Sequence, residues 1–163
     1  VKSKFQNLLF FALSLVIYFI LSAGLFFLSL AERDLILLTF LILSIFDSFS
    51  QITGQLFGKT KIMPDISPNK TLGGVVGGTI ISLVSAFLLK SLFFGTIPEL
   101  FLFAFGTILF AFIGDILASF YKRKFQVKDY SNWIPGHGGF LDRFDSLIAG
   151  GAWAALAISF LGI

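Results

Sequence analysis

Phe5 to Ala31 reads FQNLLFFALSLVIYFILSAGLFFLSLA, 27 positions without a charged side chain. A helix needs about 20 predominantly apolar residues to cross the hydrocarbon core of a bilayer, so this block suffices for one tilted span. A cleavable leader has a shorter apolar region and a small-residue cleavage site before a polar mature chain. Nothing polar follows here, and the segment is read as a retained helix. Leu35 to about Gln51 forms a second block holding one charge, Asp47. Thr71 to about Phe94 is a third, with Lys90 near its end, and Phe101 to Tyr121 a fourth, interrupted by Asp115. The last begins near Asp145 and runs to the end of the sequence.

Composition agrees with these blocks. Of 163 residues, 56% are hydrophobic, 23 are phenylalanine and only 13% are charged, where a soluble domain carries about 25%. A mean hydropathy of +0.94 excludes a water-facing globule, and it excludes disorder, which needs low hydrophobicity. With no cysteine there is no disulfide framework, thiolate zinc site or cysteine nucleophile. A net charge of +3 is too small to point to nucleic acid. The expectation is an all-α integral membrane protein, a single membrane domain over 1–163. Its five transmembrane helices fall near 8–30, 35–52, 71–94, 100–121 and 144–163, with two long cytoplasmic loops.

Orientation follows from Lys and Arg in short loops, which stay on the cytoplasmic side. Lys2, Lys4, Lys59, Lys61, Lys70, Lys122, Arg123, Lys124, Lys128 and Arg143 fall on one face, ten of the twelve basic residues; Arg33 and Lys90 fall on the other. The N-terminus is therefore expected inside and the C-terminus outside. The connections around 52–70 and 122–144 are long and polar, so nearly all polar chemistry faces the cytoplasm.

Ionisable groups inside spans are expensive and by default functional. Asp47 and Asp115 fall near the cytoplasmic ends of two spans, and Asp142 and Asp145 at the start of another. Asp115, Ser119 and Lys122 share one helical stripe at i, i+4 and i+7. Each carboxylate alone has a plainer reading, pairing with a lysine or capping a helix. Four converging carboxylates, without cysteine, suit a hard cation, and magnesium is usually held by one or two carboxylates plus substrate phosphates. Lys59, Lys61, Lys70, Lys122, Arg123, Lys128 and Arg143 supply the cations for a polyphosphate. Lys2, Lys4 and Lys124 read more simply as positive-inside residues. Lys70-Thr71 opens the third span, where free backbone N–H groups favour phosphate. Gly73/Gly77 and Gly74/Gly78 form overlapping GxxxG pairs that favour close helix packing. The lone His137 stands among glycines, in Pro135-Gly136-His137-Gly138-Gly139, just before Asp142-Arg143-Phe144-Asp145.

From Ser119 to Asp145 the chain resembles the phosphatidate cytidylyltransferases, the CDP-diacylglycerol synthases. Their pattern is a Ser, then Lys-Arg, Lys-Asp, Pro-x-His-Gly-Gly and Asp-Arg-x-Asp, matched here by Ser119, Lys122-Arg123, Lys128-Asp129, Pro135 to Gly139 and Asp142 to Asp145. Upstream, Asp47-Ser48, Phe57-Gly58-Lys59 and Ser67-Pro68-Asn69-Lys70-Thr71 are also similar to the family, so the family-like core runs over 47–163. Two positions depart from the pattern: Gly73 stands where a Glu or Gln is common, and Ala118 where an acid often precedes the serine.

The resemblance implies that the phosphate of phosphatidate attacks the α-phosphorus of CTP, giving CDP-diacylglycerol and pyrophosphate in phospholipid biosynthesis. It implies Mg2+ on Asp115, Asp142 and Asp145, with Asp47 and Ser119 in secondary roles. Lys122, His137 and Arg143 would act directly on the reacting phosphates, and Lys59, Ser67, Lys70, Arg123 and Lys128 would bind substrate. The partners implied are CTP, a lipid phosphate and the surrounding membrane lipids; a homodimer is compatible with this reading. The location implied is a bacterial-type inner membrane, with the site on its cytoplasmic side. The alternatives are a CDP-archaeol synthase-like or other CDP-lipid-forming paralogue, or a non-catalytic paralogue, which Gly73 and Ala118 would favour.

Overall fold

The computed structural model describes residues 24, 33–90, 96–126 and 141–161. Four helices carry most of them: α1 (Arg33–Phe57), α2 (Leu72–Leu88), α3 (Ile97–Lys124) and α4 (Leu141–Leu161). In α3, Thr96 is the N-cap: its hydroxyl accepts from Glu99 N–H at 3.4 Å and Glu99 Oε2 accepts from Thr96 N–H at 3.3 Å. This reciprocal box satisfies two orphan donors. Lys122, Arg123 and Lys124 occupy the last turn of α3, where cations oppose the negative helix end. Gln126, at φ 57°, then turns the chain away.

The sequence reading contains no strand, and here the structure corrects it. Between α1 and α2 lies an antiparallel hairpin of β1 (Lys61–Met63) and β2 (Ser67–Thr71), with Lys61 opposite Thr71 and Met63 opposite Ser67. Pro64 and Asp65 form its turn, a favoured pair for this geometry, closed by Ile66 N–H donating to the Met63 carbonyl at 3.2 Å. Pro68 brings no N–H to the ladder, and the register shifts between the two pairs. β2 runs straight into α2, with Thr71 as N-cap accepting from Gly74 N–H at 3.2 Å.

Helices α1 and α2 pack closely because α2 turns its smallest residues inward. Gly74, Gly78, Ser82 and Ala86 recur every fourth position and are buried. A Cβ added at Gly78 would stand 2.8 Å from Ser50 Cβ and 2.9 Å from the Phe46 carbonyl oxygen, so only glycine permits this approach. α3 and α4 form the other close pair, where Gly106 leaves room for the Trp153 indole, which stacks on Phe110 at 4.9 Å. The core joins Leu38, Ile42 and Phe46 of α1 to Leu100, Phe103 and Ile108 of α3 and Ala154 and Ala157 of α4.

The outer surface is apolar as well. Phe40, Ile80, Val84, Phe101, Phe105 and Ile113 are all exposed, a face that water penalises and lipid accommodates. Among the described residues, α1 and α3 are long and apolar enough to cross a membrane, and the most apolar windows of the two are only 33% and 39% buried. Core helices of a water-soluble domain would be mostly buried. The molecule is a predominantly helical membrane protein. Both long helices outrun their expected ends near 52 and 121, α1 to Phe57 and α3 to Lys124, through polar turns that suit a projection beyond the lipid. Of the first apolar block only Gly24 is described; it is helical, and a Cβ there would lie 3.1 Å from Ala152 Cα.

Candidate functional site

A cleft of about 260 Å³ opens where α1, the hairpin, the start of α2 and the second half of α3 meet. Helix α1 contributes Phe46, Asp47, Ser50 and Gln51, and the strand β2 contributes Ser67, Asn69, Lys70 and Thr71. Gly74 and Val75 of α2 and Phe112 and Asp115 of α3 complete the lining. Helical spacing explains each group: positions three and four apart share a face, as Asp47 does with Ser50 and Gln51, and Phe112 with Asp115.

The centre of the cleft is an ion pair. Lys70 Nζ donates to Asp115 Oδ2, joining residues 45 positions apart in sequence. The same ammonium lies 4.9 Å from the Phe112 ring centroid, close enough for a cation–π attraction. The Ser119 hydroxyl donates to Asp115 Oδ1 at 3.5 Å, one turn along the expected stripe. Both charged side chains are partly buried, Lys70 23% and Asp115 33% exposed, so water screens the pair only in part.

Two more carboxylates lie within electrostatic range of this pair. Asp47 and Asp145 each lie near enough to feel the charges of both Asp115 and Lys70, and Asp145 also feels Lys122. Asp145 is only 4% exposed, and its Oδ1 accepts from Ser146 N–H at 2.7 Å. Carboxylates of three helices thus lie within electrostatic range of one ammonium, with Asp115 the one in contact. Arg123, two turns beyond Asp115, donates from Nε to the Ile66 carbonyl at 3.2 Å. With Lys70–Asp115, this contact puts the hairpin and the end of α3 at the same end of the bundle.

Of the residues expected from sequence, Asp47, Ser67, Lys70 and Asp115 line the cleft, with Ser119 and Asp145 beside it. Lys59 is exposed on the link after α1 and does not line it. Arg123 has a protein partner in the hairpin. His137 and Lys128 lie outside the described residues. Asp142 and Arg143 belong to the first turn of α4, and their side chains lie outside the description. The expected phosphate position at the start of α2 is largely taken by the protein itself. Leu72 N–H donates to Thr60 O at 2.9 Å and Gly74 N–H to Thr71 Oγ1, two of the first three amides of the helix. Sequence reasoning missed Ser50, Gln51, Asn69 and Phe112. The signal for three of these was stripe geometry around Asp47 and Asp115; for Asn69 there was none.

Carboxylate oxygens are the ligands magnesium takes, and Asp115 holds the Lys70 ammonium. Among the described residues, no three His, Asp or Glu side chains are grouped closely enough to hold a metal ion, so Asp47, Asp115 and Asp145 do not form a metal centre among themselves, and a metal on Asp115 and Asp145 would take its further ligands from outside this set.

Both departures from the family pattern fall at tightly packed positions. A Cβ at Gly73 would lie 3.0 Å from the Phe57 carbonyl oxygen and 3.3 Å from Gly58 Cα, so a side chain there would need the end of α1 to give by a few tenths of an ångström. Ala118 is fully buried, where an added carboxylate would lose its hydration. Neither residue lines the cleft.

The fold and the cleft thus define a helical membrane protein that carries a cation and carboxylates together at one end. The chain belongs to the cytidylyltransferase family, whose pattern matches residues 1–161. It is similar to the phosphatidate cytidylyltransferase of Rickettsia bellii, 41% identical over 122 residues, covering 70% of this chain and 53% of the relative. The enzymes of that name from Staphylococcus saprophyticus (45% over 116 residues, 69% and 44% covered) and Bacillus subtilis (43% over 104, 63% and 39%) are similar too. The chain spans about half the length of the curated relatives it matches.

Proposed function

We propose that this protein transfers the cytidylyl group of CTP to phosphatidate, forming CDP-diacylglycerol and pyrophosphate. The observation that carries the reading is the Lys70–Asp115 pair in the cleft, with Asp47 and Asp145 of two more helices within electrostatic range of it. The names of the relatives supply the reaction. A phosphatidate oxygen bonds to the α-phosphorus of CTP as the bond to the β-phosphate oxygen breaks, and pyrophosphate leaves. The nucleophile is already an anion, so the chain need not supply a strong base. Its task is to orient both phosphates and to neutralise charge on the transferring and leaving groups. Lys70 stands in the cleft for that role, with Lys122 near Asp145; His137 and Arg143 are assigned to the leaving phosphates, and Lys59, Ser67 and Lys128 to substrate binding, while Arg123, expected among them from sequence, is already engaged with the hairpin. Asp115, Asp142 and Asp145 would hold Mg2+, which supplies charge neutralisation when bound.

The membrane arrangement belongs to the same proposal: five spans, with the hairpin and the 127–140 segment on the cytoplasmic side, where CTP is found. Lipid phosphate at headgroup depth then meets nucleotide from the water. Purified protein in mixed micelles with phosphatidate, Mg2+ and α-labelled CTP should move label into lipid with release of one pyrophosphate. Failure with phosphatidate but transfer to an isoprenoid-ether phosphatidate would move the assignment to the archaeol-type acceptor. Failure with every lipid phosphate would end it. The native chain has no cysteine, so single cysteines at Thr60 and Thr96 report sidedness directly. An impermeant maleimide added to intact cells should label Thr96→Cys and spare Thr60→Cys. The reverse pattern would overturn the orientation.

A further inference from the structure

We propose that Arg123 is a positioning residue that pins the β1–β2 hairpin to α3, so that Lys70 meets substrate phosphate from a fixed base; this rests on the reading of the previous subsection. Two contacts join hairpin to helix: Arg123 Nε to the Ile66 carbonyl at 3.2 Å, and Lys70 to Asp115. Their spacings match. On α3 the anchors are eight residues apart, about 12 Å at 1.5 Å per residue. On the hairpin they are four apart, about 13 Å at 3.3 Å per residue. Residue number rises along β2 as it falls along α3, so the strand runs antiparallel to the last turns of the helix, fastened at both ends.

The two fasteners differ in kind. Lys70 and Asp115 are the groups a polyphosphate and its cation compete for, so binding breaks that contact. Arg123 holds a backbone carbonyl in the turn, outside the cleft lining, and nothing in the reaction competes for it. Once Lys70 turns to phosphate, the Arg123 contact still holds the hairpin to α3. β1 is only three residues long, and a two-stranded hairpin is marginally stable by itself, so an outside anchor matters. The Ser67, Asn69 and Lys70 side chains all ride on this piece.

The experiment compares wild type with Arg123→Gln, and with an Ile66→Cys/Arg123→Cys pair before and after joining by a short bis-thiosulfonate spacer. Hydrogen exchange at the Ile66 amide, bonded to Met63 O in the turn, should quicken about tenfold in Arg123→Gln, the low end for loss of a charged donor, while α2 amides stay unchanged. Turnover should fall about tenfold with the KM for CTP within twofold. Joining the cysteine pair should restore turnover to within threefold of wild type although the cation is gone. The proposal is overturned if Ile66 exchange is unchanged. It is equally overturned if the loss appears as a tenfold rise in KM for CTP that the spacer does not rescue, which would make Arg123 a phosphate ligand. Should wild type transfer nothing to lipid, the functional reading falls, and quickened Ile66 exchange still establishes the pin.

Discussion

Lys70→Met is expected to lower kcat/KM for CTP by about a hundred- to a thousandfold, the range seen when one donor to a charged transition state is removed. Methionine keeps most of the aliphatic stem, so the packing beside Phe112 survives and only the ammonium is lost. Asp115 then loses its cation. Breaking a fully buried pair costs about 3–5 kcal/mol, but with a quarter to a third of each side chain exposed the loss should be nearer 1–2 kcal/mol. Stability and activity separate in the double variant Lys70→Met/Asp115→Asn. If the pair merely braces the hairpin, replacing both charges recovers stability and turnover together. On the reading above, thermal stability in detergent recovers and turnover stays at the lower of the two single-variant values. Lys70→Met turning over within a few-fold of wild type would remove Lys70 from the chemistry.

How much of this site was legible beforehand depended on which interactions were local. Asp115 with Ser119 lies on one helix, so spacing alone predicted their contact, and the structure shows it. The inward Gly74/Gly78 face is likewise a short-range pattern. Asp47 and Asp145 were picked out because a carboxylate in an apolar block is costly wherever it sits. What the sequence could not give was Lys70 with Asp115, 45 residues apart, or Arg123 with Ile66, 57 apart. Charge complementarity permitted many pairings of seven basic loop residues with four carboxylates, and only the packing of α2 against α3 selects among them.

The hairpin escaped for a related reason. Lys61 to Thr71 has two prolines and little period-two alternation, so composition reads as loop. Its strands exist because Pro64-Asp65 closes a turn and because β2 is held against α3, a tertiary cause. The helices run past the expected span ends because hydrophobicity marks where lipid stops, while backbone hydrogen bonding continues through polar residues. Thr53, Gly54 and Gln55 extend α1 past its last apolar run, supported by Thr53 Oγ1 donating to Phe49 O at 2.7 Å and to Gly74 O at 3.2 Å. Asp47 therefore sits ten residues from the end of α1 and Asp115 nine from the end of α3, about 15 Å and 14 Å at 1.5 Å per residue. Both carboxylates thus lie about the same distance back from the helix ends that adjoin the hairpin.

Asp145→Asn should fold and yet lose activity by at least a hundredfold, with a raised requirement for Mg2+. The plain alternative is that Asp145 caps its helix, worth about 1 kcal/mol and a role that asparagine fills equally well. Helix α4 begins at Leu141, four residues earlier, so Asp145 is already inside the helix and cannot be its N-cap. Asparagine still offers an oxygen to Ser146 N–H, and it removes a buried negative charge that sits near Asp115. Stability should therefore hold or rise. What disappears is a carboxylate that faces Asp115 from another helix, and with it one anionic ligand for a hard cation. The decisive measurement is turnover against Mg2+ concentration at saturating CTP. The variant should need more metal for half-maximal rate, while Lys122→Gln, at a residue assigned to phosphate rather than to metal, should raise the KM for CTP with little change in metal requirement. Full turnover of Asp145→Asn at limiting Mg2+ would place the metal elsewhere and leave Asp145 as a partner of Lys122 and the α4 backbone.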